Sequence, residues 1–221
     1  TLLTILKQQH LRIDLVAHSM GTRLTLQTLV LLRRRCETAP MIDEMILAAP
    51  DIGAEKQNDD FATLMGDTRS CARRTTIYVS ANDSVLAASQ TIHGGIPRAG
   101  RDPVTAYAYQ SAPGDQATFA NGTVDVIDAD DAPGDDLGHG YFAVSYEAIS
   151  DIAQTLNDVP SLRRTAPSAN YPATLGCGLK QPVACDPQAP RYRLIVAEQR
   201  RQRPSWLRNW IRSLIPLRPG E

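Results

Sequence analysis

Hydrophobic and polar positions along this chain alternate between two periods. Residues 11–16 mix β-branched residues with a partial apolar/polar alternation, which predicts a strand. Between Gly21 and Arg35, Leu24, Leu26, Thr28, Leu29 and Leu32 recur at helical spacing and predict a helix. Residues 42–50 form a second, almost wholly apolar strand ending at Asp51. A polar helix follows over 55–74, its inner face marked by Phe61, Leu64 and Met65. Residues 75–80 are β-branched and aromatic, a third strand, and run into the turn-like Ala81-Asn82-Asp83. Helical spacing resumes over 84–90. A Gly-, Pro- and Ala-rich excursion occupies 93–123, then Val124-Asp125-Val126-Ile127-Asp128 gives a fourth strand. A Gly/Asp-rich loop leads to His139, and a helix is expected over 141–156. A further helix is expected over 2–9. Strands alternating with helices predict an α/β fold with a mainly parallel sheet covered on both faces.

Beyond residue 159 the pattern breaks. Pro160, Pro167, Pro172, Pro182, Pro187 and Pro190 argue against a regular core there. A domain boundary is therefore expected near Val159, with a body over 1–159 and a tail over 160–221. Within the tail, residues 204–215 place Trp206/Leu207, Trp210/Ile211 and Leu214/Ile215 on one helical face, with Arg208 and Arg212 beside it. Such a basic amphipathic helix suits a membrane surface, or else docking onto the domain or a partner subunit. Charge follows the same division. The body carries 12 Lys/Arg against 21 Asp/Glu, the tail 11 against 3, so a net −1 hides −9 and +8.

At 221 residues and 43% hydrophobic, the chain has room for one well-buried domain and an appendage. Its apolar stretches fall short of a membrane span and no secretory signal opens it. It begins without Met, inside a helical pattern, so an N-terminally incomplete domain is expected, cytoplasmic or membrane-associated. The cysteines Cys36, Cys71, Cys177 and Cys185 lack the spacing of a zinc site. Cys177 and Cys185 could close a small loop in an oxidising compartment, or remain free thiols. No cofactor and no nucleic acid are expected.

Chemistry concentrates at the first strand–helix junction, Ala17-His18-Ser19-Met20-Gly21. A serine on a sharp turn there resembles the Gly-x-Ser-x-Gly nucleophile elbow, with Ala17 in the first glycine position. Small residues at 17 and 21 are expected because the tight turn leaves little room. The plainer alternative is a serine that caps an ordinary helix. Serine needs a base, and the base an orienting acid, in the chain order Ser, Asp/Glu, His. Ser19 follows the first strand, Asp83 the third and His139 the fourth, each where open α/β sheets gather their sites. Gly138 and Gly140 free the loop to carry the imidazole. Asp51 and the aspartates at 128, 130, 131, 135 and 136 compete with Asp83, which also suits a helix cap. His18 is expected to point away from the nucleophile, His10 to sit at a helix end, and His93 to be loop structure.

These residues resemble a family of esterase/lipase-like α/β-hydrolases of unknown function. The likeness rests on residues 15–21, 78–83, 89–100 and 124–128, together with His139-Gly140-Tyr141-Phe142. The resemblance implies an α/β-hydrolase fold lacking its early strands, with Ser19, Asp83 and His139 as a triad. It also implies an oxyanion-binding N–H at Met20, with the second donor normally supplied by an earlier strand's loop. The expected function is hydrolysis of a small-molecule ester or lipid. The rival is a non-catalytic interaction protein whose tail binds a membrane or another chain.

Overall fold

A computed structural model describes residues 2–54, 60–102, 123–132, 134–159, 164 and 192–194. Five parallel strands lie in sequence order: β1 (Asp14–His18), β2 (Ile42–Ala48), β3 (Ala72–Val79), β4 (Thr123–Asp128) and β5 (Tyr192–Arg193). The described helices are α1 (Leu2–Gln8), α2 (Met20–Leu32), α3 (Asp60–Thr68), α4 (Ser84–Ile92), a single turn α5 (Tyr141–Val144) and α6 (Tyr146–Leu156). This is an α/β fold built on a parallel sheet, as the alternation of the two periods predicts.

The central strands read as continuous apolar runs because both of their faces are covered. On one face Met45, Leu47, Ile77, Val79, Val124 and Val126 pack with Leu26 and Leu29 of α2 and Phe61 and Met65 of α3. On the other, Ile46, Tyr78 and Ile127 meet Leu86, Tyr141 and Ala148. Alternate residues of one strand thus enter different cores, as the two-residue side-chain period of a strand requires. The inward stripe of α2 is Thr22, Leu26, Leu29 and Leu32, whereas Leu24, expected inward, is 69% exposed. Among the described residues, strand β1 pairs on one side only, with β2, and Val16, Met20, Leu24 and Leu31 are exposed at this end of the sheet.

Several boundaries differ from the sequence reading for identifiable reasons. Arg73 and Arg74, expected in a helix, begin β3, because their charges are met across the sheet. Arg74 Nε lies 2.9 Å from the fully buried Glu44, and Arg73 reaches the same carboxylate at 2.6 Å. The helix expected over 141–156 breaks at Ser145, whose hydroxyl accepts the Ala148 amide and caps α6. The buried stripe of α6 includes Glu147, Asp151 and Thr155. Asp151 accepts from the Tyr78 hydroxyl at 2.6 Å and from Arg164 at 2.8 Å. Burial pushes the Asp151 carboxyl up against the opposing pull of Arg164.

Packing on the sheet continues past Val159, where the domain boundary was expected. Arg164 is fully buried, β5 pairs with β4, and Leu194 is 1% exposed in the second core. A disulfide joins Cys36 to Cys71, both fully buried, and ties the turn after α2 to the turn after α3. The sequence carries no local signal for a pair 35 residues apart. Cys177, Cys185 and the amphipathic segment at 204–215 lie outside the described residues.

Candidate active site

The strand registers bring four carboxyl ends to one edge. His18 stands opposite Ala48, Ala48 opposite Tyr78, and Tyr78 opposite Ile127. Ser19 is the single residue between β1 and α2, with φ 54° and ψ −128°. A side chain in this left-handed region is strained and persists only where its surroundings hold it. Here the Ser19 amide donates to the Ala48 carbonyl at 3.0 Å. Its own carbonyl accepts from the Thr22 amide, the Asp51 amide and, at 2.6 Å, the Thr22 hydroxyl. The Ser19 side chain makes no capping bond to α2, so the helix-cap alternative gains no support. Gly21 is not explained by crowding, since a Cβ there would meet nothing within 4 Å among the described residues.

Asp83 sits at the N-terminus of α4 and is fully buried. Its two oxygens divide the work that the sequence left as alternatives. Oδ1 accepts the Leu86 amide at 2.9 Å and caps the helix, while Oδ2 lies 2.6 Å from His139 Nδ1. A carboxylate only accepts, so Nδ1 carries the hydrogen and Nε2 keeps its lone pair in the neutral ring. The His139 loop is fastened at both ends of this pair. The His139 amide donates to Asp135 Oδ1 at 2.8 Å, and the Ser84 amide donates to the Leu137 carbonyl. Gly138 adopts φ 72°, and a Cβ at Gly140 would come within 3.0 Å of the Asp135 carboxylate. Gly138 is therefore favoured by its backbone conformation, and a side chain at Gly140 would press on the carboxylate that holds the His139 amide.

Of the competing acids, Asp135 holds the His139 amide rather than its ring, and Asp51, Asp128 and Asp130 have other partners. Asp51 accepts from Arg98 Nε at 2.5 Å and from the Ser89 hydroxyl at 2.8 Å. Asp128 and Asp130 brace neighbouring loop amides, of Asp130 and Ala81 respectively. His93 folds back onto α4, its Nδ1 2.8 Å from the Ser89 carbonyl, and His10 is an exposed residue after α1. His18, read in the sequence as pointing away from the nucleophile, is an aromatic neighbour of His139. His18 lies with its ring centroid 4.4 Å from that of His139 and stacks on Phe142 at 4.2 Å. Tyr141 is fully buried; burial, and then the Asp83 charge, hold its phenol well above the usual range, so it stays protonated. Met20 opens α2, where an amide has no intrahelical acceptor. Among the described residues, no group of three or more His, Cys, Asp or Glu is disposed to hold a metal ion.

The parallel sheet, with these groups gathered at its carboxyl edge, defines an α/β-hydrolase type of architecture. Residues 1–157 match the family described as alpha/beta hydrolase of unknown function (DUF900), and the chain belongs to that family. No curated protein and no solved structure gives a match.

Proposed function

We propose that the chain is a serine hydrolase that cleaves carboxylic esters, of small molecules or lipids, through an acyl-Ser19 intermediate. The reading rests chiefly on one observation, the buried Asp83 carboxylate 2.6 Å from Nδ1 of His139. That contact orients an imidazole whose other nitrogen is available as a base. The strained backbone of Ser19, with no capping bond from its side chain, adds support, because strain of this kind gathers at functional sites.

In the first half-reaction the Ser19 hydroxyl attacks the ester carbonyl carbon and its proton passes to His139 Nε2. Negative charge forms on the former carbonyl oxygen, where the Met20 amide donates to it. The tetrahedral species collapses, the carbon–oxygen bond to the alcohol breaks, and His139 returns its proton to the departing oxygen. Water then repeats the sequence on the acyl-serine and releases the acid. Asp83 holds the imidazole in one tautomer and stabilises its charged form throughout. Thioesters and amides use the same groups.

The test is labelling of the chain with a fluorophosphonate, beside Ser19→Ala. Labelling lost on substitution establishes an activated Ser19. Absence of labelling in the folded wild-type chain overturns the proposal.

A further inference from the structure

Of the four histidines in the chain, His18 is the one whose ring rests on that of His139. The rings are 4.4 Å apart at 49°, and Phe142 covers His18 at 4.2 Å and 25°. His18 Nε2 also lies 3.3 Å from the His139 carbonyl oxygen. A carbonyl only accepts, so Nε2 is the protonated nitrogen of His18. His139 is thereby held at three atoms: its amide by Asp135, its Nδ1 by Asp83, its carbonyl by His18. The first two holds come from loops beyond the third and fourth strands. The third comes from the residue covalently joined to Ser19.

We infer that His18 is a positioning residue, which ties the backbone and ring of His139 to the strand end that carries Ser19. The inference deepens the serine-hydrolase reading and rests on it. A histidine between two glycines, Gly138 and Gly140, gains little restraint from its own backbone, and a one-ångström drift of a base is costly to a proton transfer. His18 supplies a flat surface and a donor at that point. Its charge state matters as well. The titratable groups around it are His139, Asp83 and Asp135, with apolar Phe142 on the remaining face. Burial first, and the charge on His139 second, hold the His18 imidazole below the usual range. A neutral His18 leaves room for the positive charge that His139 acquires when it takes the Ser19 proton. A permanent cation in that place would oppose it.

The experiment compares His18→Gln, which keeps a donor, His18→Phe, which keeps the stacked ring, and His18→Ala, which keeps neither. One readout is the rate of fluorophosphonate labelling, with kcat and KM for p-nitrophenyl acetate. The other is the downfield proton resonance of His139 Nδ1–H against Asp83, which is visible whether or not Ser19 reacts. His18→Ala is expected to slow labelling and kcat about tenfold, as loss of one well-placed hydrogen bond does, with KM unchanged. Its Nδ1 proton broadens through faster solvent exchange, while Gln and Phe each restore part of both signals. A folded His18→Ala or, should that variant not fold, a folded His18→Phe with wild-type resonance and wild-type rate overturns the inference. If the resonance responds while the wild-type chain never labels, positioning stands and the hydrolase reading falls. If labelling depends on Ser19 but neither readout responds to His18, the reverse holds.

Discussion

Asp83 and His139, 56 residues apart, meet through a 2.6 Å contact between Oδ2 and Nδ1, while the remaining Asp83 oxygen caps α4. In the proposed hydrolase, one carboxylate would serve stability and chemistry through different atoms. Asp83→Asn separates them. Asparagine caps helices about as well as aspartate, but it leaves His139 without a charged partner and free to adopt the wrong tautomer. The variant should melt within a few degrees of wild type and hydrolyse esters about 10⁴-fold more slowly. Asp83→Ala should add a cap loss of about 1 kcal/mol in denaturant titration.

Ser19 stores strain at φ 54°. Conformations of this kind cost a non-glycine residue about 1–3 kcal/mol, which glycine avoids. Ser19→Gly should therefore raise the unfolding free energy by about 1 kcal/mol while abolishing fluorophosphonate labelling. Ser19→Ala keeps the strain, and should abolish labelling without that gain. Equal stabilities for the two variants would show that the backbone here is relaxed.

The strands were legible because a doubly covered parallel strand is an apolar run whatever its neighbours are. β2 and β4 fall within a residue or two of the expected spans. The start of β3 was not, since Arg73 and Arg74 look solvated until Glu44 is seen beside them. In the site, strand-end position and chain order single out Asp83 and His139, whose side chains do meet. The contact of His18 with His139 was missed because its partners, His139 and Phe142, lie more than a hundred residues away and no local spacing encodes them. Nor does local spacing encode the Arg164–Asp151 pair, 13 residues apart, or the Cys36–Cys71 bridge, 35 apart. Long-range polar pairing is what a local pattern does not carry.

Arg164 and Asp151 form a fully buried pair to which the Tyr78 hydroxyl also donates. Removing one member of such a pair leaves a charge without compensation in the interior. Arg164→Ala should lower the unfolding free energy by about 3–5 kcal/mol. Joint replacement with Asp151→Leu and Arg164→Met should recover much of that loss, as uncharged residues of similar volume do. A double-mutant cycle in urea measures both.

The Cys36–Cys71 bridge closes a loop containing β2 and α3. Crosslinks over loops of this length restrict the unfolded chain by about 2–4 kcal/mol. Cys36→Ala/Cys71→Ala should lose stability in that range under oxidising conditions. Adding a reductant should bring the wild-type chain to the same level and leave the double variant unmoved.

His18 also predicts a pH dependence of stability. Its imidazole is held below the usual histidine range, by burial first and by the His139 charge second. In the unfolded chain it titrates near the ordinary value of about 6.5. Between the lowered folded value and that one, the unfolded chain binds more protons. Stability then rises with pH across the window, is complete above about 7, and is lost as acid is added. His18→Phe keeps a ring against His139 but has nothing to protonate. Urea titrations at a series of pH values between about 5 and 8 should show wild type losing ground to His18→Phe as pH falls below about 6.5, with no change in their difference above 7. A difference that is flat, or that widens in wild type's favour on acidification, would mean that folding leaves the His18 imidazole free to take its proton.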